Sequence, residues 1–428
     1  MNQITVPTSK SISNRLLILQ KTCRDVLKYS LTINNLSTAE DTKLLNNLLN
    51  DIHPSPAIPK RSEFTSLGGV MGGESRILNC KNCGTAYRFL TAYLSCTSGK
   101  WVLDGSERMR MRPIKPLVDT LIYAGADIFY LKEVGFPPLQ IIGKQLETTH
   151  FEIDAQQSSQ YVSAIAMILP LMHQNCEIVF STDGNSLQYI DMTIKLMQKL
   201  GLNINRIGNK IRYTPPHPIP KGRDKSPILE VLMEVEYDWS SAAVWFAFAA
   251  LSPNAVFFIQ RLKKSELQAD NIITEWSELF GVQTKYLENG VQIRNTGNKP
   301  NIEIIQLDCR NNPDLVPYLA STCVGLKQKA ILKNVQNLTL KESNRIEALT
   351  QELGKIARLN YENNAMIIMP KQEKFPDSID FSSHNDHRIA MALSILSARI
   401  PQGNIYNPNC VKKSYPDFWN ILDSLIKK

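Results

Sequence analysis

The sequence has no apolar run longer than about ten residues, half of what a bilayer-spanning helix needs. Nor does its start, Met1-Asn2-Gln3-Ile4-Thr5-Val6, carry the apolar core of a secretory signal. Cysteine is sparse: eight residues in 428, scattered and mostly set in apolar runs such as those around Cys96, Cys176 and Cys323. That usage fits a reducing compartment and argues against a disulfide framework. Together these features lead us to expect a soluble cytoplasmic protein. Cys80 and Cys83 form one two-residue-spaced pair, and His384 and His387 are also spaced like ligands. Neither pair has the further partners a zinc site needs, so no structural metal is expected. The glycine-rich stretch from Leu67 to Glu74 is not followed by Gly-Lys-Ser or Gly-Lys-Thr at a helix start, so it is read as a tight strand connection and not a phosphate loop. The net charge of +8 is moderate. With no stripe of alternating aromatic and basic residues, it does not point to nucleic acid.

What the chain does contain is a repeat. Small polar or charged clusters open onto apolar, helix-like runs at Ser11, Thr85, Ser159, Trp239, Leu315 and His387, with spacings of 74, 74, 80, 76 and 72 residues. A unit of roughly 75 residues is thus repeated six times. A second, amphipathic series keeps pace, starting near Glu40, Ile114, Tyr189, Gln268, Asn344 and Ser414. Four members of that series end on glycine, at Gly125, Gly201, Gly281 and Gly354, where a left-handed residue is expected to close the helix. Short strands then follow, as at Asp127–Tyr130 and Gln283–Tyr286.

The two helices of a unit differ in pattern. Ser163–Leu169 and Ala242–Leu251 are apolar on every side and must be enclosed by protein. In the segment from Tyr189 to Leu200, by contrast, Ile190, Ile194, Leu196 and Met197 face inward while Asp191, Lys195 and Lys199 face water. Each unit therefore has one core helix and one helix lying on a sheet surface. A chain of this length supports about two domains. Six units divide into three plus three, with the seam near 230–237, after the proline- and lysine-rich stretch from Tyr213 to Lys221.

Cations recur at these openings: Lys10, Arg15, Arg88, Arg112, Lys341, Arg345, Arg388 and Lys413. A helix N-terminus presents unpaired N–H groups and about half a positive charge. Several of them gathered together and joined by arginines suit phosphates and carboxylates. Ser11, Thr85 or Ser159 taken singly reads as an ordinary N-cap. The set read together is an anion site.

Eight segments, in order along the chain, resemble the signatures of the 5-enolpyruvylshikimate-3-phosphate synthase family. They are Thr8–Arg15, Asn82–Arg88, Arg108–Ile114, Ser158–Gln160, the stretch from Ser186 to Tyr189, Lys341–Arg345, Asn385–Met391 and Lys413–Asp417. The resemblance implies an α/β fold of two similar domains, each built from three βαβαββ repeats with buried parallel helices and outer sheets, an inside-out α/β barrel. It implies domains of 9–235 and of 236–428 plus 1–8, because family members pass the chain between domains twice. The first would mainly bind shikimate 3-phosphate. The second would supply the carboxylate clamp and the acid and base.

The implied reaction transfers the enolpyruvyl group of phosphoenolpyruvate to the 5-hydroxyl of shikimate 3-phosphate by addition and elimination in an interdomain cleft. Cofactor and metal are not required, and the enzyme is usually a monomer. By the resemblance, Lys10, Asp314 and Glu342 are catalytic. Ser158, Ser159 and Ser186 meet the shikimate phosphate and Arg15 its carboxylate, with Lys10, Ser11, Gln160, Tyr189, Asp314, Asn337 and Lys341 also in contact. Phosphoenolpyruvate falls to Lys10, Asn82, Gly84, Arg112, Gln160 and Lys413, with Arg345 and Arg388 clamping its carboxylate. The glycine is expected to let this ligand approach the backbone.

One departure is Asn344, where the family commonly has aspartate, which removes a charge that could orient Arg345. The alternatives are the related enolpyruvyl transferase acting on UDP-N-acetylglucosamine and a non-catalytic phosphate-ligand-binding relative. The first typically has Lys-Asn where this chain has Lys10-Ser11, and a loop cysteine where it has Arg108–Arg112. The second has no need of Asp314 and Glu342.

Overall fold

A computed structural model describes residues 2–27, 29–52, 75–181, 187–216, 229–371 and 373–426, with no side-chain account for 25–27, 29 and 229. The glycine-rich stretch at 67–74, apart from its neighbour Ser75, and the expected ligand Ser186 lie outside the described residues.

The repeat is visible in the sheets. Arg76–Asn79 runs parallel to Gly99–Asp104, which pairs antiparallel with Leu139–Gly143, itself in a hairpin with Asp127–Tyr130. The same parallel, antiparallel, antiparallel order recurs in three more sheets. One comprises His150–Ile153, Cys176–Phe180, Lys210–Thr214 and Asn203–Ile207. The next comprises Asn2–Ile4, Val256–Gln260, Gly290–Asn295 and Val282–Leu287. The last comprises Ile304–Asp308, Lys329–Lys333, Ala365–Pro370 and Ala357–Glu362. Parallel neighbours need a crossover. A buried helix supplies it in three of these sheets, whereas between Asn2–Ile4 and Val256–Gln260 the chain first builds the other compact unit and then the buried helix Trp239–Leu251. The final repeat is strand, helix, strand, helix: Phe381–Ser382, His387–Ser394, Ile405–Tyr406 and Phe418–Ile426.

The chain forms two compact units, one of Met1–Lys10, Asn35–Thr42 and Glu234–Lys428, the other of Ser11–Asn34 and Lys43–Met233. The N-terminal strand Asn2–Ile4 serves the sheet of the Trp239 repeat, whereas Leu229–Glu234 pairs with Tyr29–Asn34. The segment Asn35–Thr42 departs from the expected 9–235 boundary and goes with the C-terminal residues. Its ties include the side-chain amide of Asn35, donating to the Val235 carbonyl at 3.2 Å, and Asp41, which accepts from Lys10 at 2.9 Å.

Helix patterning follows burial. In Trp239–Leu251 every side chain but Ser240 is buried, as an all-apolar helix requires. Trp245 packs edge-on to Tyr415, whose hydroxyl accepts from the indole at 3.1 Å and donates to the Thr5 carbonyl at 2.6 Å. Leu187–Lys199 buries Ile190, Ile194, Leu196 and Met197 and leaves Lys195 and Lys199 exposed. Asp191 is held in a two-point pair with Arg206, at 2.6 and 2.9 Å. Three of the four helix-closing glycines have positive φ, at 96°, 80° and 83° for Gly125, Gly201 and Gly281. Gly354 does not: its φ is −58°. Glycine is needed there because an added Cβ would lie 2.3 Å from the Thr350 carbonyl oxygen.

Candidate active site

Within the unit of Ser11–Asn34 and Lys43–Met233, hydrogen bonds join three helix openings. Cys83 caps the helix Gly84–Ser95 by accepting from the Ala86 amide, so this cysteine serves as an N-cap. Ser158 caps Ser159–Ile168, placing Ser159 and Gln160 in the first turn. The Gln160 side chain spans the openings, donating to Thr85 Oγ1 at 3.0 Å and accepting from Arg88 Nη1 at 2.7 Å. The Arg88 guanidinium lies over the Tyr161 ring, whose hydroxyl donates to the Pro113 carbonyl next to Arg112. Burial pushes the Tyr161 hydroxyl pKa up, against the pull of Arg88 and Arg112.

Arg112 is 5 % exposed, and its Nε and Nη1 have no hydrogen-bond partner among the described residues. A desolvated guanidinium with open donors is costly unless an anion supplies acceptors. Gly84 has a nearer reason for being bare than the expected ligand approach. A Cβ there would stand 2.5 Å from Arg112 Nη1 and 2.8 Å from its Cζ, so glycine is what lets the guanidinium lie against the helix start. Asn82, in the turn before this cap, is half-buried.

Arg15 is committed more heavily to the protein than the resemblance suggests. It donates to Thr193 Oγ1 at 2.7 Å, the Ser11 carbonyl at 2.9 Å, Ser163 Oγ at 3.4 Å and the Tyr189 carbonyl at 3.2 Å. Its cationic face also meets the rings of Phe89 and Tyr189. Burial lowers its pKa to about 10, which still leaves it charged at neutral pH. Thr193, on the buried face of an amphipathic helix, is a partner that the apolar pattern concealed.

The unit of Met1–Lys10, Asn35–Thr42 and Glu234–Lys428 gathers the other three openings around two arginines. Arg345, 1 % exposed, donates from Nε to Asp386 Oδ2 at 2.8 Å and from Nη2 to Asp386 Oδ1 at 3.2 Å. Its Nη1 reaches Asp314 at 2.9 Å, and Nη2 also reaches Glu342 at 3.0 Å. Arg388 donates to the second oxygen of Asp314 at 3.0 Å and to the Ser240 carbonyl at 3.3 Å, so the expected base joins the two expected clamps. Glu342 also pairs with Lys413 at 3.4 Å. Burial would raise the Asp314 pKa, but Arg388, Lys341 and Arg345 overcome it and hold the carboxyl well below its usual range. Asp386 is likewise held down, burial being outweighed by Arg345.

Lys10 pairs with Asp41, whose pKa falls because Lys10 and Lys413 outweigh burial. His387 follows its N-cap Asp386, and burial together with Lys10 lowers its pKa to about 3, so the ring is neutral. Asn337 is buried with an amide oxygen that accepts no hydrogen bond from the described residues. Lys341 is half-buried. Asn344 caps the helix Arg345–Leu353 and accepts from the Glu347 amide at 3.3 Å. The carboxylate that orients Arg345 is Asp386, which explains how asparagine is accommodated at 344. Sequence reasoning passed over Asp386, although an aspartate directly before an apolar helix is itself a capping signal. It also missed Asp41, for which no local pattern exists. His384 does have an acidic partner, Glu352 at 2.9 Å. Even so, no group of three His, Cys, Asp or Glu able to hold a metal occurs among the described residues.

Repeated mixed sheets, buried crossover helices and paired cation clusters at the helix openings define an α/β enzyme that handles small anionic substrates. The chain matches the family model of EPSP synthase (3-phosphoshikimate 1-carboxyvinyltransferase) over residues 1–422 and belongs to that family. It is 33% identical over 426 residues to the 3-phosphoshikimate 1-carboxyvinyltransferase of Bacteroides fragilis strain YCH46, covering 98% of this chain and 94% of the relative. The enzyme of the same name from Pseudoalteromonas translucida is 30% identical over 425 residues, covering 99% and 96%. Among solved structures, EPSP synthase from Acinetobacter baumannii superposes with a TM-score of 0.69 at 20% identity, covering 99% of this chain and 95% of that one, a likeness of fold. The activity is that of a 3-phosphoshikimate 1-carboxyvinyltransferase, in the shikimate route to aromatic amino acids. No helix of the described residues is long and apolar enough to cross a membrane.

Proposed function

We propose that the protein, a cytoplasmic monomer, joins phosphoenolpyruvate to the 5-hydroxyl of shikimate 3-phosphate through the residues named above. Arg112, with its buried open donors, takes a phosphate together with Lys10, Gln160 and Lys413. Arg345 and Arg388 take the phosphoenolpyruvate carboxylate. Ser158 and Ser159, at one helix start, take the shikimate phosphate with Ser186, while Arg15, Tyr189, Ser11, Asn337 and Lys341 bound the rest of that substrate.

The observation that carries the assignment is the single carboxylate of Asp314 bound to both arginines. An arriving substrate carboxylate competes for those same cations. As their charge is shared, Asp314 regains proton affinity, and it becomes an effective base for the 5-hydroxyl proton once the clamp is occupied. Glu342, held between Arg345 and Lys413, exchanges a proton with the methylene carbon, and Lys10 assists. Charge developing during addition is met by fixed cations that need no reorganisation.

The test is phosphate release from a mixture of the protein, shikimate 3-phosphate and phosphoenolpyruvate, with a UDP-amino sugar as control acceptor. Release only with the control acceptor would overturn the substrate assignment. In Asp314→Ala, turnover should fall more than substrate affinity, and an equal loss in both would remove Asp314 as the base.

A further inference from the structure

Asp270 is a buried carboxylate with no part in the chemistry above. It sits in a short helical turn, Ala269–Ile272, at the start of the half-wet segment of the fourth repeat, and is 6 % exposed. Both of its oxygens are occupied: Ser240 Oγ donates to one, and Asn312 Nδ2 donates to the other at 3.0 Å. Each donor leads straight to the site. Asn312, also 6 % exposed, is the residue from which the turn Pro313–Leu315 springs, carrying Asp314. Ser240 is the residue whose carbonyl accepts from Arg388 Nη1, while Arg388 Nη2 holds Asp314. The contacts therefore close on themselves, from Asp270 to Asn312, along the chain to Asp314, across to Arg388, then to Ser240 and back to Asp270.

We propose that Asp270 is a positioning residue that fixes the base Asp314 relative to the clamp Arg388 by tying together the two backbone segments that hold them. This rests on the proposed roles of Asp314 and Arg388. Four elements meet at the ring: the turn at 269–272, the helix start at 239–241, the turn at 313–315 and the helix start at 387–388. Packing of apolar side chains keeps helices at an approximate distance, but it does not set the angle of a short turn. A doubly accepting carboxylate does, because it fixes both donors at once. Burial, and next the charge of Asp314, raise the Asp270 pKa to about 6, so at neutral pH it is ionised and both oxygens can accept. Ordering this carboxylate in a dry site carries a desolvation cost. Retaining it there is intelligible if the two turns have to be held in register.

Asp270→Asn preserves one acceptor for Asn312, and its amide group can donate to the Ser240 oxygen, so the ring stays closed without the charge. Asp270→Ala opens it, and Asn312→Ala opens it at another point. The expected result is that Asp270→Ala and Asn312→Ala each lower kcat about tenfold or more, while Asp270→Asn stays within about threefold of the native enzyme. The double alanine variant should be no worse than the poorer single variant, since the ring is broken only once. Thermal melting of each variant, and binding of shikimate 3-phosphate by calorimetry, report whether the fold is retained.

Native-like kcat in Asp270→Ala would overturn the proposal. So would losses that multiply in the double variant, or an Asp270→Asn enzyme as impaired as Asp270→Ala. Asp314→Ala separates this inference from the reading beneath it. If that variant turns over normally, the role of Asp314 fails; if it is inactive while Asp270→Ala is native-like, only the positioning ring fails.

Discussion

Gly84 and Arg112 share one volume: the guanidinium of the second lies where a side chain on the first would be, 2.5 Å from an added Cβ. Arg112 is also the cation whose buried donors are open to an anion. Gly84→Ala is therefore expected to push the guanidinium aside. The KM for phosphoenolpyruvate should rise about tenfold or more, as expected when one charge-assisted contact is displaced, while melting temperature changes little. Steady-state kinetics with phosphoenolpyruvate varied at saturating shikimate 3-phosphate measure this, and an unchanged KM would count against Arg112 as an anion ligand.

Arg345 and Asp386 predict a stability effect. The pair is buried on both sides, at 1 % and 0 % side-chain exposure, and Asp386 also caps the helix His387–Ser394. Asp386→Ala would leave a guanidinium in a dry site with only Asp314 and Glu342 to balance it, and would remove a cap. A loss of about 3 kcal/mol is expected in urea unfolding. Asp386 is held below the usual carboxylate range, so its contribution is present above the ordinary aspartate pKa and is lost as pH falls through the lowered one. The native protein and Asp386→Ala should therefore converge in stability only in strong acid.

Much of this architecture could be read from residue order. The openings at Ser159, Trp239 and His387 coincide with helix starts, because each combines a small or capping residue with an apolar run. Gly125 and Gly201 closed helices as expected, because positive φ leaves a mark in sequence. Gly354 broke that rule because its constraint is a close approach to a carbonyl within one turn. The site was less legible. Lys10, Arg15, Arg112 and Arg388 lie in short motifs, but Asp41 beside Lys10, Thr193 beside Arg15, and Asp270, which accepts from Ser240 and Asn312, belong to no motif. Those partners are specified by contacts between segments far apart in the chain, and such pairings have no periodicity to betray them. Arg15 shows the same gap from the other side. The resemblance gives it a substrate carboxylate, and the structure adds four hydrogen bonds to the protein that no motif announces.

Lys10 is 16 % exposed on its side chain and paired with Asp41. Replacing it by methionine keeps most of the stem and removes the charge near the expected phosphate. Turnover should fall by about 10²-fold or more, the usual scale for a group that moves a proton or meets developing charge. Asp41 would keep Lys413 as a counter-charge, so the fold should survive. Rapid-quench measurement of a single turnover checks this, and near-native rates would exclude Lys10 from the chemistry.

Asp270 yields a pH prediction with a definite sign. Its folded pKa is raised to about 6, first by burial and then by Asp314, with Arg388, Ser240 and Asn312 opposing. A carboxyl whose pKa rises on folding binds its proton more tightly in the native state, so it favours folding below the ordinary aspartate value near 3.9. That contribution disappears as pH climbs through about 6, where the ionised form must sit in a dry site. Asp270→Asn is never ionised. The melting temperature of the variant minus that of the native protein should accordingly increase between about pH 4 and pH 6 and level off above. Melting both proteins across that range in one buffer series measures the difference directly, and a flat or falling difference would contradict a desolvated Asp270.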